Sequence, residues 1–230
     1  MDVLTLVHGD GGGPSLFRDV LDARGDTVVE VPLHKGGRPQ KEPSDYDAVL
    51  VLGGSAHPDE DAIHPWLGPE VEYLERVLDD RVPTFGVCLG AELLARAAGG
   101  RVERSPRPEI GWFPVELTAA ATEDPVFSAL PGRFPVFQWH EYAAGVPPGA
   151  VELARNELGP QAYRLGRRVW GVQFHPEVRL EQLVGWIRSY GAHAPVPAEP
   201  FIAEAKHHIR AWNVLGRALF GRFLDAAARL

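Results

Sequence analysis

Apolar positions follow two regimes along the chain. Up to about residue 100, short apolar runs alternate with stretches of helical period. Residues 3–7, 27–31, 48–52 and 84–87 read as strands, and the unbroken apolar run at 48–52 is that of a strand covered on both faces. Residues 15–23, 66–79 and 91–98 read as helices, the second because Leu67, Val71, Leu74 and Leu78 repeat at helical spacing. Strand and helix in alternation predict an α/β domain. Beyond Gly99-Gly100 the pattern becomes a series of short β-like segments at 112–117, 133–137, 152–156, 162–165 and 169–174, so this half is expected to be mixed or antiparallel.

Leu180, Leu183, Val184 and Ile187 then mark a helix over 178–190, and the proline-rich stretch 192–200 reads as a linker. In the last thirty residues Ile202, Ala205, Ile209, Trp212, Leu215, Leu219, Phe220, Phe223 and Leu224 form a stripe that predicts one long or two short helices. Such a stripe either caps the domain's own core or faces another subunit in a homodimer. Self-capping is favoured, because an apolar helical stripe is normally core. The expected organisation is one α/β domain over 1–191, with 192–230 as a linker and a C-terminal helical extension packed on it.

Composition narrows the functional classes. The chain has 230 residues, 45% of them apolar, and a net charge of −8, which argues against nucleic acid or an anionic membrane as partner. A single cysteine excludes an intrachain disulfide, no apolar run is long enough to span a bilayer, and the N-terminus has no secretory pattern, so the cytoplasm is the expected compartment. The glycine run at 8–14 lacks the spacing of a dinucleotide or P-loop motif and reads as a flexible turn before a helix. The stretch 55–65 holds two histidines and three acids without metal-ligand spacing; it reads as a solvated rim loop, and no metal is expected.

Candidate chemistry centres on Cys88. It follows the apolar run 84–87 and precedes a helical pattern, with Gly86 and Gly90 on either side, which is the sequence form of a nucleophile elbow. A helix N-terminus behind the sulfur favours the thiolate. A lone cysteine is otherwise a small buried hydrophobe. The reading gains weight at the second apolar run, which ends in His175-Pro176-Glu177. His175 is a base for the thiol, and Glu177 an orienter for the histidine.

Gly86-Val87-Cys88-Leu89-Gly90 together with Gln173-Phe174-His175-Pro176-Glu177 resembles the class I glutamine amidotransferases, Cys-His-Glu enzymes that release ammonia from glutamine, and is closest to free-standing proteins similar to the amidotransferase domain of GMP synthase. The stretches 108–112 and 137–140 look like segments of that subgroup. The resemblance implies a three-layer α/β/α sandwich with a central, mostly parallel, flavodoxin-like sheet and a C-terminal helical extension. It implies Cys88, His175 and Glu177 as catalytic residues, and backbone N–H groups of Gly54 and Leu89 as an oxyanion hole. Gly53, Glu92, His140, Glu141 and Tyr142 are the implied substrate contacts. No cofactor is expected.

Two positions depart from the family pattern. Glu92 stands where relatives carry glutamine, and Glu141-Tyr142 follow His140 where many have glycine. The chain also has no motif for ATP-dependent acceptor chemistry, so any synthetase that consumes ammonia would be a separate polypeptide. The expected substrate is glutamine or a γ-glutamyl compound. The alternatives are a γ-glutamyl peptidase or hydrolase acting without a synthetase, and a catalytically silent binding protein on the same fold.

Overall fold

The computed structural model describes residues 1–229. Its parallel half consists of β1 (Asp2–Val7), β2 (Thr27–Pro32), β3 (Ala48–Val51), β4 (Thr84–Val87) and β9 (Val169–Val172). The strands β5 (Val102–Leu117), β6 (Arg133–Ala144), β7 (Ala150–Asn156) and β8 (Gly159–Leu165) complete one sheet of order β2-β1-β3-β4-β9-β8-β7-β5-β6.

Alternate residues of the parallel strands point to opposite layers. Val3 and Val7 of β1 and Ala48 and Leu50 of β3 join one core with α1 (Leu16–Arg24), α4 (Leu180–Ser189) and α5 (Ala198–Ala227). Leu4, Leu6, Val49 and Val51 join the other with α2 (Leu67–Asp79) and α3 (Leu89–Ala97). Three layers result, as the period-2 alternation of two-sided strands requires.

The sheet is not mostly parallel, contrary to the expected architecture. Four strand pairings are parallel and four are antiparallel among the described residues. The difference lies mainly in the long β5–β6 hairpin, whose first ten residues, 102–111, had no strand signal. They are largely polar and exposed and contain Pro106 and Pro108, which cannot donate to a ladder. The β5–β6 register shifts between Arg104 and Glu109, where those prolines fall. The sheet also curls back on itself: the N–H of His175, just beyond β9, donates to the Phe137 carbonyl of the edge strand β6 at 2.9 Å.

The C-terminal segment is one continuous helix starting at Ala198, inside the stretch read as linker. Pro200 is tolerated in its first turn, where a backbone N–H has no intrahelical partner. Its stripe residues Phe220, Phe223 and Leu224 are fully buried in the main core, so the apolar face is covered by the chain itself. Trp212 Nε1 donates to the His175 carbonyl at 2.9 Å, and Asn213 Nδ2 to that of Val178 at 2.7 Å. The terminal helix thereby supports the loop that carries the candidate base.

A buried ion pair ties β1 to the second helical layer. His8, next after β1, holds the Leu52 carbonyl through Nδ1 at 2.9 Å and the Glu70 carboxylate of α2 through Nε2 at 2.8 Å. Burial opposes a charge on His8, but Glu70 outweighs it and raises the histidine above its ordinary value. The stability this pair contributes is therefore full below about pH 6.5, the ordinary histidine value, and is lost as pH rises through the raised folded value. Glu70→Ala strands a buried charge and is expected to cost about 3–5 kcal/mol in urea unfolding. Glu70→Gln should cost less and flatten this part of the pH dependence.

Candidate active site

Cys88 occupies a strained elbow. Its φ of 50° and ψ of −115° lie in a region that costs a non-glycine residue roughly 1–3 kcal/mol. The surroundings hold it there. Its N–H donates to the Val172 carbonyl of β9 at 2.8 Å, and α3 begins at the next residue. The flanking glycines permit the close approach this needs. A Cβ on Gly90 would run into the Val51 carbonyl of β3, and one on Gly86 would lie 2.6 Å from Leu94 Cδ1.

The candidate base arrives from just beyond the end of β9. His175 Nδ1 and Glu177 Oε1 are 2.8 Å apart, and both side chains are buried. With the carboxylate accepting from Nδ1–H, Nε2 is the basic nitrogen, and it is buried with no hydrogen-bond partner. Burial opposes the imidazolium, yet the Glu177 carboxylate and the sulfur of Cys88 together hold His175 well above the usual histidine range. For Cys88 the balance goes the other way: burial pushes the thiol up, against the attraction of His175. Sγ lies 3.9 Å from the Trp139 carbonyl. A single added carbon, a Cβ on Gly53, would stand 2.8 Å from His175 Cε1 and 3.4 Å from Cys88 Cβ, so the two side chains face one small volume.

That volume opens into a cavity of about 560 Å³. All ten residues singled out from the sequence line it: Cys88, His175 and Glu177; Gly53, Gly54 and Leu89; and Glu92, His140, Glu141 and Tyr142. Glu92, in the first turn of α3, is buried and accepts from Gln173 Nε2 at 2.8 Å. Burial pushes its carboxyl up, against the Gln173 hydrogen bond. His140 is held through Nδ1 by the Tyr142 carbonyl at 2.7 Å, while Glu109 Oε2 lies 3.2 Å from its Nε2 without hydrogen-bond geometry. Glu141 is drawn to Arg104 at 2.6 Å, and the Tyr142 ring lies 4.6 Å from that of His57, at the rim.

Several residues in or behind the cavity wall carried no signal of their own. Gln173 bridges Glu92 and the neighbourhood of the sulfur, 4.0 Å from Sγ. Trp139, Trp186 and Tyr190 line one side of the cavity. Trp186 sat unremarked in an ordinary amphipathic helix. The glycine run after β1 is a turn before a helix, but it also borders the cavity and is tied to α4: Gln182 Nε2 and Trp186 Nε1 donate to the Gly11 carbonyl at 2.8 and 3.0 Å. Within the stretch 55–65, Asp61 pairs with Arg96 at 2.9 Å and Glu60 with His64 at 3.6 Å.

Comparison with known proteins bears on the family and the fold. The family model for glutamine amidotransferase class-I matches residues 16–184. The chain is similar to YfeJ, a glutamine amidotransferase-like protein of Salmonella typhimurium, at 28% identity over 98% of this chain and 96% of that one. It is similar to a glutamine-hydrolysing GMP synthase of Thermomicrobium roseum at 34% identity over 70% of this chain, which spans only 30% of that protein. A γ-glutamyl-L-1-hydroxyisopropylamide hydrolase of a Pseudomonas species is 33% identical over 62% of this chain and 51% of its own length. Among solved structures, a glutamine amidotransferase from Thermotoga maritima superposes with a TM-score of 0.89 at 26% identity, covering 98% of both chains. With the family model spanning well over half its length and relatives of the same kind along nearly all of it, this chain belongs to the class-I glutamine amidotransferase family.

Proposed function

We propose that the chain hydrolyses γ-glutamyl amides through a covalent thioester on Cys88, with His175 as general base and acid and Glu177 as its orienter. The observation that carries this reading is the buried Cys88, His175 and Glu177 set at one cavity, in which the histidine is held through Nδ1 at 2.8 Å and Nε2 is unpartnered.

The chemistry follows from those positions. Nε2 takes the thiol proton as sulfur attacks the amide carbonyl carbon, and a C–S bond forms. The oxyanion is received by N–H groups of Leu89, at the start of α3, and Gly54. Each such donor is worth roughly 10²–10³ in kcat in comparable enzymes. The C–N bond then breaks as His175 returns its proton to the leaving nitrogen. Water, deprotonated by the same nitrogen, cleaves the thioester and frees glutamate. The raised His175 suits both halves of the cycle, because the Glu177 carboxylate stabilises the imidazolium that forms twice. Every group required belongs to the chain.

Two fates remain for the amine. Relatives that are GMP synthases hydrolyse glutamine, and by analogy a separate ammonia-accepting synthetase would be the partner. A second reading, a hydrolase acting without a synthetase, is favoured by Glu92: a buried carboxyl bonded to Gln173 replaces an amide of different donor capacity.

Cys88→Ala is expected to abolish glutamate release from L-glutamine and γ-glutamyl dipeptides, and to abolish labelling by a glutamine-like electrophile. Absence of both turnover and labelling in the parent chain would sink the reading. Glu177→Gln should keep the fold and lower kcat by roughly 100- to 10,000-fold, since the histidine loses its tautomer and its counter-charge. A change confined to KM in steady-state assays would show that Glu177 does not act through His175.

A further inference from the structure

The two sides of the cavity differ in chemistry. Near Glu92 it is polar: Glu92 and His140 line it, Glu92 accepting from Gln173 and His140 bonded to the Tyr142 carbonyl. On the side of His175 it is aromatic. The Trp186 ring lies 5.3 Å from the His175 ring at 73°, Trp139 meets Trp186 edge-on at 5.8 Å, and Tyr190 stacks on Trp139 at 5.8 Å and 28°. All three line the cavity, with Ile110 and Pro195 beside them. Tyr190 is 42% exposed, so the aromatic wall runs from the base to solvent.

Mechanism assigns these sides. The nitrogen that leaves must be the one His175 protonates, so whatever that nitrogen carries lies against the rings next to His175. Ammonia carries nothing and needs no such wall. A cavity of about 560 Å³ is in the range of about 300–1,000 Å³ that holds drug-sized ligands, and free glutamine would fill only part of it. Exposed aromatic surface beside a reacting group is also costly to keep wet unless a ligand covers it.

We propose, on the basis of the γ-glutamyl hydrolase reading above, that the aromatic wall of Trp139, Trp186 and Tyr190 is a leaving-group subsite selecting γ-glutamyl conjugates of arylalkyl amines. The amide R–NH–CO bond breaks with its electron pair going to nitrogen and the His175 proton completing R–NH2. The γ-glutamyl group stays on Cys88 until water releases glutamate. The ring of R stacks on the wall while the glutamyl end occupies the Glu92 side, so the two products part in opposite directions.

The test is a comparison of kcat/KM for L-glutamine, γ-glutamylethylamide and γ-glutamylbenzylamide. The benzylamide is expected to exceed glutamine by roughly tenfold or more, a discrimination of the size that apolar pockets supply. Tyr190→Ala, which removes a half-exposed ring with no buried polar partner, should shrink the benzylamide-to-glutamine ratio several-fold with an unchanged melting temperature. Trp186→Ala should shrink it further, although it also removes one of the two hydrogen bonds to the Gly11 carbonyl. Glutamine cleaved as well as the benzylamide, or a ratio unmoved by Tyr190→Ala, would overturn the subsite while leaving γ-glutamyl hydrolysis intact. If none of the three amides is cleaved, the hydrolase reading falls, and the subsite with it.

Discussion

The whole site depends on how closely the first turn of α3 approaches β3. That contact has no room for a Cβ on Gly90, because the Val51 carbonyl occupies the space. It forces the chain to leave β4 through a positive φ at Cys88, and so lifts the sulfur to the strand end with a helix N-terminus directly behind it. A backbone bond to Val172 fixes the elbow against β9, the strand that delivers His175 three residues later. Cys88 and His175 are therefore positioned by two adjacent parallel strands, and their separation inherits the rigidity of a sheet.

The base has its own support, from the far end of the chain. Trp212 and Asn213 of α5 hold the carbonyls of His175 and Val178, and a Cβ on Gly216 would collide with the Pro176 carbonyl. The terminal helix is thus bound to the loop that carries His175 as well as to the core it covers. On the opposite side, the edge strand β6 curls back to accept from the His175 N–H, bringing Trp139 and His140 to the cavity.

Burial sets the electrostatics. Removal from water raises the Cys88 thiol and the Glu92 carboxyl, whereas His175 and His8 are raised because each has a buried carboxylate close enough to overcome that same penalty. Two histidine–carboxylate pairs therefore serve different ends. His175–Glu177 faces the cavity and leaves a ring nitrogen free for a proton, while His8 is bonded on both ring nitrogens and ties the Leu52 carbonyl, just before Gly53-Gly54, to α2.

What the sequence determined by itself was local. Alternation and period located the parallel strands and their helices, since two-sided strands need unbroken apolar runs and surface helices need a stripe. Cys88 between two glycines and His175 two positions before Glu177 were legible because their chemistry demands particular residue types at short spacing. The β5 ribbon at 102–111 was invisible, as exposed antiparallel strands bury little and leave no apolar pattern. Only the tertiary structure decided that α5 is one helix on the chain's own core, that the sheet is mixed, and that Trp139, Trp186 and Tyr190 meet beside His175. Those contacts join residues far apart in sequence, and their identity is set by how the curled sheet and the helices pack, which no local pattern encodes.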